Sequence, residues 1–246
     1  MERFDKSFYT KQMKTFYRRN LPHYHPPGAI YFVTFRLAGS LPQEAMLRLK
    51  QEREATERKI VKTAPAKQVK EEIRIWQKKY FAKFDQLLGS ASNRVHHLSD
   101  ERVANIVAEA IKHRDGKEYD LFAYCIMPNH VHMVFSVERT LVRSNQTENP
   151  AASERAKARF TTELNENIKR SGASLYKILQ SLKSFTAIQA NKILNRSGTF
   201  WQHESYDHVV RDQDELQRVI RYVLNNPVKA GLVSDWQKWK WSYLKK

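Results

Sequence analysis

Two apolar runs, Tyr119 to Met127 and Val131 to Val137, are joined through Pro128 and Asn129. Proline has no N–H for a ladder and asparagine tolerates turn geometry, so the join is a tight turn or a bulge between two strands. In the second run His130 and His132 alternate with Val131 and Met133. Alternate side chains on a strand share a face, so both imidazoles point the same way. Two imidazoles are half of a metal site, and they raise the question of where a third ligand and a nucleophile lie.

The flanking sequence places this strand pair in an α+β fold. Arg18 to Gly28 holds three prolines and a glycine, which excludes a helix, and it feeds a strand from Ala29 to Leu37. His23 and His25 repeat the His-x-His spacing, but their neighbouring prolines argue against a ladder strand there. From Pro42 to about Leu88 the composition shifts to Lys, Glu, Gln and Ala, with Val69, Ile73, Trp76, Tyr80, Phe84 and Leu87 at helical spacing. That segment reads as two helices broken near Thr63-Ala-Pro65, with solvated charged faces and one face packed on the body. Ser99 is an N-cap candidate for a helix striped by Val103, Ile106, Val107, Ala110 and Ile111, ending around Asp115-Gly116. Residues 138–172 are polar and rich in Ser, Asn, Glu, Lys and Arg, the profile of a mobile excursion. A basic amphipathic helix from Ser174 to Leu194 precedes an aromatic strand, Thr199 to Tyr206, continuing through Arg211. This order fits an antiparallel sheet covered by helices on one face, in a single domain 1–246 with a helical insertion at about 43–88.

Charge narrows the partner. Lys and Arg number 43 against 26 Asp and Glu, a formal charge of +17, of the sign that attracts polyanions. Nucleic acid is the expected partner. The basic residues are spread along the chain, which disfavours a membrane-surface helix, and no run of eighteen apolar residues occurs. The start lacks the apolar stretch of a secretory signal, so a cytoplasmic location is expected. The single Cys125 lies in an apolar run and reads as a small core residue.

The last helix offers the missing groups. Asp212 is an N-cap candidate with Glu215 three residues on, and Leu216, Val219, Ile220, Val223 and Leu224 form the buried stripe, with Pro227 expected to end it. At about 100° per residue, Tyr222 and Asn226 fall roughly 130° and 90° from the stripe's centre, on one flank outside the core face. A tyrosine and an amide at i and i+4 can face the same object, and an amide oxygen suits magnesium or manganese. From spacing alone, however, the histidine pair packs more often than it ligates, and a boundary tyrosine usually packs.

Four segments together carry a resemblance: Pro128-Asn-His-Val-His132, Gly198-Thr-Phe-Trp-Gln202, Tyr206-Asp-His-Val-Val-Arg211 and Arg221-Tyr-Val-Leu-Asn-Asn-Pro-Val-Lys-Ala-Gly231. With Pro26-Pro-Gly-Ala-Ile-Tyr-Phe-Val-Thr-Phe35 they make the chain, from Leu21 onward, similar to the REP-associated tyrosine transposases, one-tyrosine insertion-sequence transposases of the HUH endonuclease superfamily. The resemblance implies a four-stranded antiparallel sheet with helices, similar to the RNA-recognition (ferredoxin-like) fold. It implies that His130 and His132 bind a divalent metal, magnesium or manganese, that Asn226 completes the protein ligands, and that Tyr222 is the nucleophile. It further implies cleavage and rejoining of single-stranded DNA at hairpin-forming repeats through a 5′-phosphotyrosine. The insertion at 43–88 and the excursion at 138–172 are longer than the minimal family pattern, which leaves monomer and homodimer both open.

A tyrosine hydroxyl with a reference pKa near 10 is ionised in about one molecule per thousand at neutral pH, so such a nucleophile needs an activated phosphate. Arg18, Arg19, Lys183, Arg211 and Lys229 are the expected phosphate contacts. Gln202, His203 and His208 are secondary candidates with no catalytic role assigned. In the tail, Trp236 to Tyr243, the tryptophans are expected to close a core more than to stack bases. Two other classes remain open from sequence: a non-catalytic nucleic-acid-binding regulator, and a metal-dependent nuclease using water.

Overall fold

The computed structural model describes residues 16–18, 22–24, 29–89, 95–137 and 174–246. A short ribbon comes first, β1 (Phe16–Arg18) antiparallel to β2 (Pro22–Tyr24), with His23 opposite Tyr17. The prolines argue against a ladder at His23, yet one forms. Pro22 is the first residue of its strand, where the missing N–H costs little.

The main sheet has five strands: β3 (Ile30–Arg36), β4 (Asp120–Ile126), β5 (His130–Ser136), β6 (Tyr206–Val210) and β7 (Ser242–Leu244). Their order is β6-β3-β5-β4-β7, and every neighbouring pair is antiparallel. The fold class is therefore α+β as the sequence implies, with one strand more than the expected four. The extra strand is the tail. Trp239 donates its indole N–H to the Ile126 carbonyl at 3.0 Å, the Ile126 amide donates to the Trp241 carbonyl at 3.0 Å, and these bonds hold β7 against β4.

The helices are α1 (Gln43–Thr63), α2 (Val69–Leu88), α3 (Glu101–Arg114), α4 (Ser174–Ile193) and α5 (Gln213–Lys229). They cover both faces of the sheet, where the sequence suggests one. Tyr31, Val33, Phe35, Val131, Met133 and Phe135 point one way and pack with Val103, Val107 and Ile111 of α3 and Leu175, Ile178 and Leu182 of α4. The alternate residues Phe32 and Val134, with Cys125 and Met127, meet Leu216 and Val223 of α5 and Phe81 of α2. Strand residues apolar on both faces require a cover on each side.

The insertion is thus a structural layer. The α1–α2 pair has its own small core of Leu49, Tyr80, Phe84 and Leu88, with a Lys83–Glu52 ion pair outside it. Phe81 then pins α2 to the sheet, edge-on to Phe32 at 5.2 Å and stacked on Tyr206 at 4.3 Å between ring centroids. Aromatic pairs of this kind contribute about 0.5–1.5 kcal/mol each beyond their buried area.

Three local expectations shift. The α3 N-cap is Asp100, whose carboxylate accepts from the Arg102 amide at 2.9 Å, while Ser99 ends a preceding 3-10 turn. The aromatic stretch 199–205 is not a strand apart from an isolated bridge between Trp201 and Leu37, and β6 begins at Tyr206. Finally, α5 runs through Pro227 to Lys229. A proline in the last turn removes one backbone bond, and bonds from Ala230 to Asn226, Gly231 to Val228 and Leu232 to Pro227 close the end, helped by Gly231 at φ 69°. Asp212 caps the start of that helix as expected, accepting from the Glu215 amide at 2.7 Å.

Candidate metal and nucleophile site

Register places the histidines beside β3: Thr34 lies opposite His132 and Arg36 opposite His130. Both rings are buried and share the face covered by α2 and α5, with their Nε2 atoms 3.0 Å apart. Each ring is steered through its other nitrogen. Asn129 donates its amide Nδ2 to the Leu88 carbonyl at 2.9 Å, which turns Oδ1 toward His130 Nδ1 at 2.6 Å. An amide oxygen only accepts, so Nδ1 of neutral His130 carries the proton and Nε2 presents a lone pair. Thr34 Oγ1 sits 2.7 Å from His132 Nδ1 and can accept from it, which frees His132 Nε2 in the same sense.

A third group arrives from the insertion. Asp85 of α2 is buried, its Oδ1 lies 3.4 Å from His132 Nε2, and one ligand atom each from Asp85, His130 and His132 fall within 4.8 Å of one another. Oδ1 has no hydrogen-bond partner among the described residues. Two imidazole lone pairs and a carboxylate oxygen converging in a buried space repel one another, and a cation among them removes that repulsion. This donor set can bind a metal.

Electrostatics agree with that reading. Burial lowers the His130 pKa well below the usual histidine value, the neighbouring His132 adds to the effect and Asp85 only opposes it, so the ring is neutral and available as a ligand. Burial alone would raise the Asp85 carboxyl, but the His132 ring, Tyr222 and His130 more than offset it and hold the carboxyl below the usual range. Lys229 reaches the other oxygen, Nζ to Oδ2 at 3.6 Å.

Tyr222 and Asn226 are expected outside the core face, and the structure corrects this: α2 covers their flank. The Tyr222 ring packs edge-on to Phe32 at 5.9 Å and to His132 at 5.7 Å, and its hydroxyl is buried beside Asp85 and Asn226 without a well-formed hydrogen bond to either. Burial, and then the Asp85 charge, push its pKa far above the ordinary tyrosine value. Both effects favour the protonated phenol. Asn226 is buried and donates Nδ2 to the Tyr222 carbonyl at 2.9 Å, which orients the amide one turn after the tyrosine.

The remaining sequence candidates divide. Lys229 is at the site, and Arg211 is exposed at the start of α5 with its backbone N–H on Glu215 Oε2 at 3.1 Å. Lys183 spends its ammonium group on the Gln202 and His203 carbonyls at 2.6 and 2.9 Å, so it ties α4 to the 199–205 loop. His208 pairs with Glu215 at 3.2 Å and is not among the three residues of the metal-ligating group. The Arg18 side chain, Arg19 and the excursion 138–172 lie outside what is described. Cys125 is buried, its thiol pushed up to about 12 by burial, as a core residue should be.

Asp85, Thr34 and Asn129 join the site only through the fold. Asp85 had a usable signal: Phe81, Asp85 and Leu88 follow i, i+4, i+7 spacing, which puts a carboxylate on an apolar face.

Compared with known proteins, the chain matches no family model. Over 124 residues it is 23% identical to a Haemophilus influenzae protein carrying the name REP-associated tyrosine transposase, covering 50% of this chain and 58% of that relative. The chain resembles the REP-associated tyrosine transposases. A solved REP-associated tyrosine transposase bound to a REP hairpin superposes on 92% of this chain and 80% of its own, at 14% identity and a TM-score of 0.40, too loosely to match residue with residue. No helix among the described residues is long and apolar enough to cross a membrane.

Proposed function

We propose that the protein is a metal-dependent DNA strand transferase that cleaves and rejoins single-stranded DNA at hairpin-forming repeats through a 5′-phosphotyrosine. The observation that carries this reading is the meeting of a buried tyrosine hydroxyl with two buried imidazoles and a buried carboxylate, on a chain of formal charge +17. Similarity to a named transposase over half of the chain supports it.

In this reading His130, His132 and Asp85 hold a divalent cation, magnesium or manganese, and Asn226 adds an amide oxygen. When bound, the cation withdraws charge from the scissile phosphate and screens Asp85. A carboxylate in the set leaves less positive charge for the phosphate than two imidazoles and an amide would, and Lys229 beside Asp85 makes up part of the difference. Tyr222, carried on a rigid helix and braced by Phe32 and Phe81, is held for in-line attack. Its oxygen bonds to phosphorus, the phosphorus–O3′ bond breaks, and the proton lost by the phenol is balanced by the one gained by the departing 3′ hydroxyl. A 3′ hydroxyl of another strand reverses the step with no nucleotide cofactor.

The test is a covalent adduct. Protein incubated with single-stranded hairpin DNA and magnesium or manganese should give an SDS-resistant protein–DNA species that is lost in Tyr222→Phe. Cutting that persists in Tyr222→Phe without an adduct would mean a water-using nuclease. Binding that ignores both chelation and Tyr222→Phe, with no strand cut, would mean a non-catalytic regulator.

A further inference from the structure

A cavity of about 530 Å³ opens beside the histidine cluster, between the α1–α2 layer and the end of β3, within the size range of small-molecule sites at about 300–1,000 Å³. It borders the site through Thr34, which lines the cavity and also holds His132 Nδ1, and through Phe84, the neighbour of Asp85. Any ligand here therefore sits next to whatever occupies the histidines.

The lining is specific. Arg36 is only 5% exposed, and its hydrogen bonds to the Leu37 carbonyl and to Ser40 Oγ both run from Nη1. Neither bond uses Nε or Nη2, which leaves that edge of the guanidinium without a hydrogen bond to the described residues. Burial disfavours its charged form and lowers its pKa to about 10, a cost partly offset by Glu204 across the cavity. Buried guanidinium groups are normally paired, and a planar fork with a free edge matches a phosphate. Lys50 of α1 lines the wall with an exposed side chain, and Arg53, ion-paired with Glu57 at 3.9 Å, lies beside it. Tyr80 and Tyr206 supply the aromatic surface, and Gln202 and Glu204 supply polar groups of the kind that read base edges.

We infer that this cavity is a nucleotide subsite, which takes one nucleotide of the single-stranded substrate adjacent to the scissile phosphate, its phosphate on Arg36 and its base against Tyr80 and Tyr206. The inference rests on the strand-transfer reading for the identity of the ligand, while its measurement needs no catalysis. The insertion then has a double role: α2 contributes Asp85 to the metal cluster, and α1 with α2 encloses the neighbouring nucleotide.

Binding of a short single-stranded oligodeoxynucleotide, followed by fluorescence anisotropy with EDTA present across a salt series, tests it. Arg36→Gln should weaken binding about tenfold and make the log-log salt slope shallower by about 0.7, the value for one phosphate contact on a single strand. Lys50→Glu, exposed at the cavity wall, should weaken binding in the same sense and does not depend on Arg36→Gln folding. Lys112→Glu on α3, across the sheet, controls for bulk charge. If Arg36→Gln and Lys50→Glu bind like the unchanged chain, or weaken no more than Lys112→Glu, the subsite is overturned. Absence of a covalent adduct on Tyr222, with the Arg36 and Lys50 effects intact, would overturn the strand-transfer reading and leave the nucleotide subsite standing.

Discussion

Asp85 of α2 and His132 of β5 meet at 3.4 Å, although one belongs to a helical layer added to the sheet and the other to its central strand. The contact joins the insertion to the histidine pair. If both residues hold one cation, the metal also pins α2 to the sheet.

Asp85→Asn should therefore weaken manganese binding by tenfold or more, roughly the effect of replacing a charged oxygen ligand with a neutral one of the same shape. Titration calorimetry or the loss of the free manganese resonance signal would read it. Affinity unchanged from the parent chain would remove Asp85 from the ligand set and leave Asn226 as the oxygen donor.

The groups behind the histidines should matter nearly as much. Asn129→Ala takes the acceptor from His130 Nδ1 and leaves the Leu88 carbonyl without its amide partner, and Thr34→Val takes the oxygen from His132 Nδ1. Each should lower metal affinity by about 10–100-fold while the histidines remain. Nitrogen chemical shifts of the two rings would follow the tautomers directly. Shifts that stay fixed in both variants would show that the rings are oriented by packing alone.

Much of this site was legible because periodicity alone carries it. Alternation put His130 and His132 on one face, and the i, i+4 relation put Tyr222 beside Asn226, and both relations hold in the fold. Asp85 was not legible in that way, since its partner lies 47 positions away in sequence and only the packing of Phe81 on Phe32 and Tyr206 brings α2 over the sheet. The fifth strand escaped for a similar reason. Ser242 to Leu244 is too short to show a period, and its pairing depends on indole contacts of Trp239 with β4.

Lys183 gives a pH signature separate from the metal cluster. Burial first, and then Arg36, push its pKa down to about 8, so the unfolded chain binds this proton more tightly than the folded one. Stability should rise with pH between about 8 and the unfolded lysine value near 10.4, and the contribution should be lost as pH falls through about 8. The shift corresponds to at most about 3 kcal/mol. Denaturant unfolding of the parent chain and Lys183→Met at pH 7 and pH 10 would read it, the parent gaining relative to the variant at the higher pH. Parallel pH curves for the two proteins would contradict it.

The Tyr222 hydroxyl is buried without an acceptor of good geometry, beside a carboxylate that disfavours its ionisation. A hydroxyl in that position costs the fold part of its hydration and returns no hydrogen bond, about 1–3 kcal/mol in typical cases. Tyr222→Phe keeps the ring and its contacts with Phe32, Phe81 and His132 and removes only the unmet group. The variant should therefore be as stable as the parent or more stable by about 1 kcal/mol, measured by urea unfolding in EDTA, while losing the covalent adduct entirely. A hydroxyl that lowers stability where it stands fits the role proposed for it, a nucleophile held ready for a phosphate. A loss of more than about 1 kcal/mol in Tyr222→Phe would instead mean that the hydroxyl holds the fold together, and the case for a poised nucleophile would fall with it.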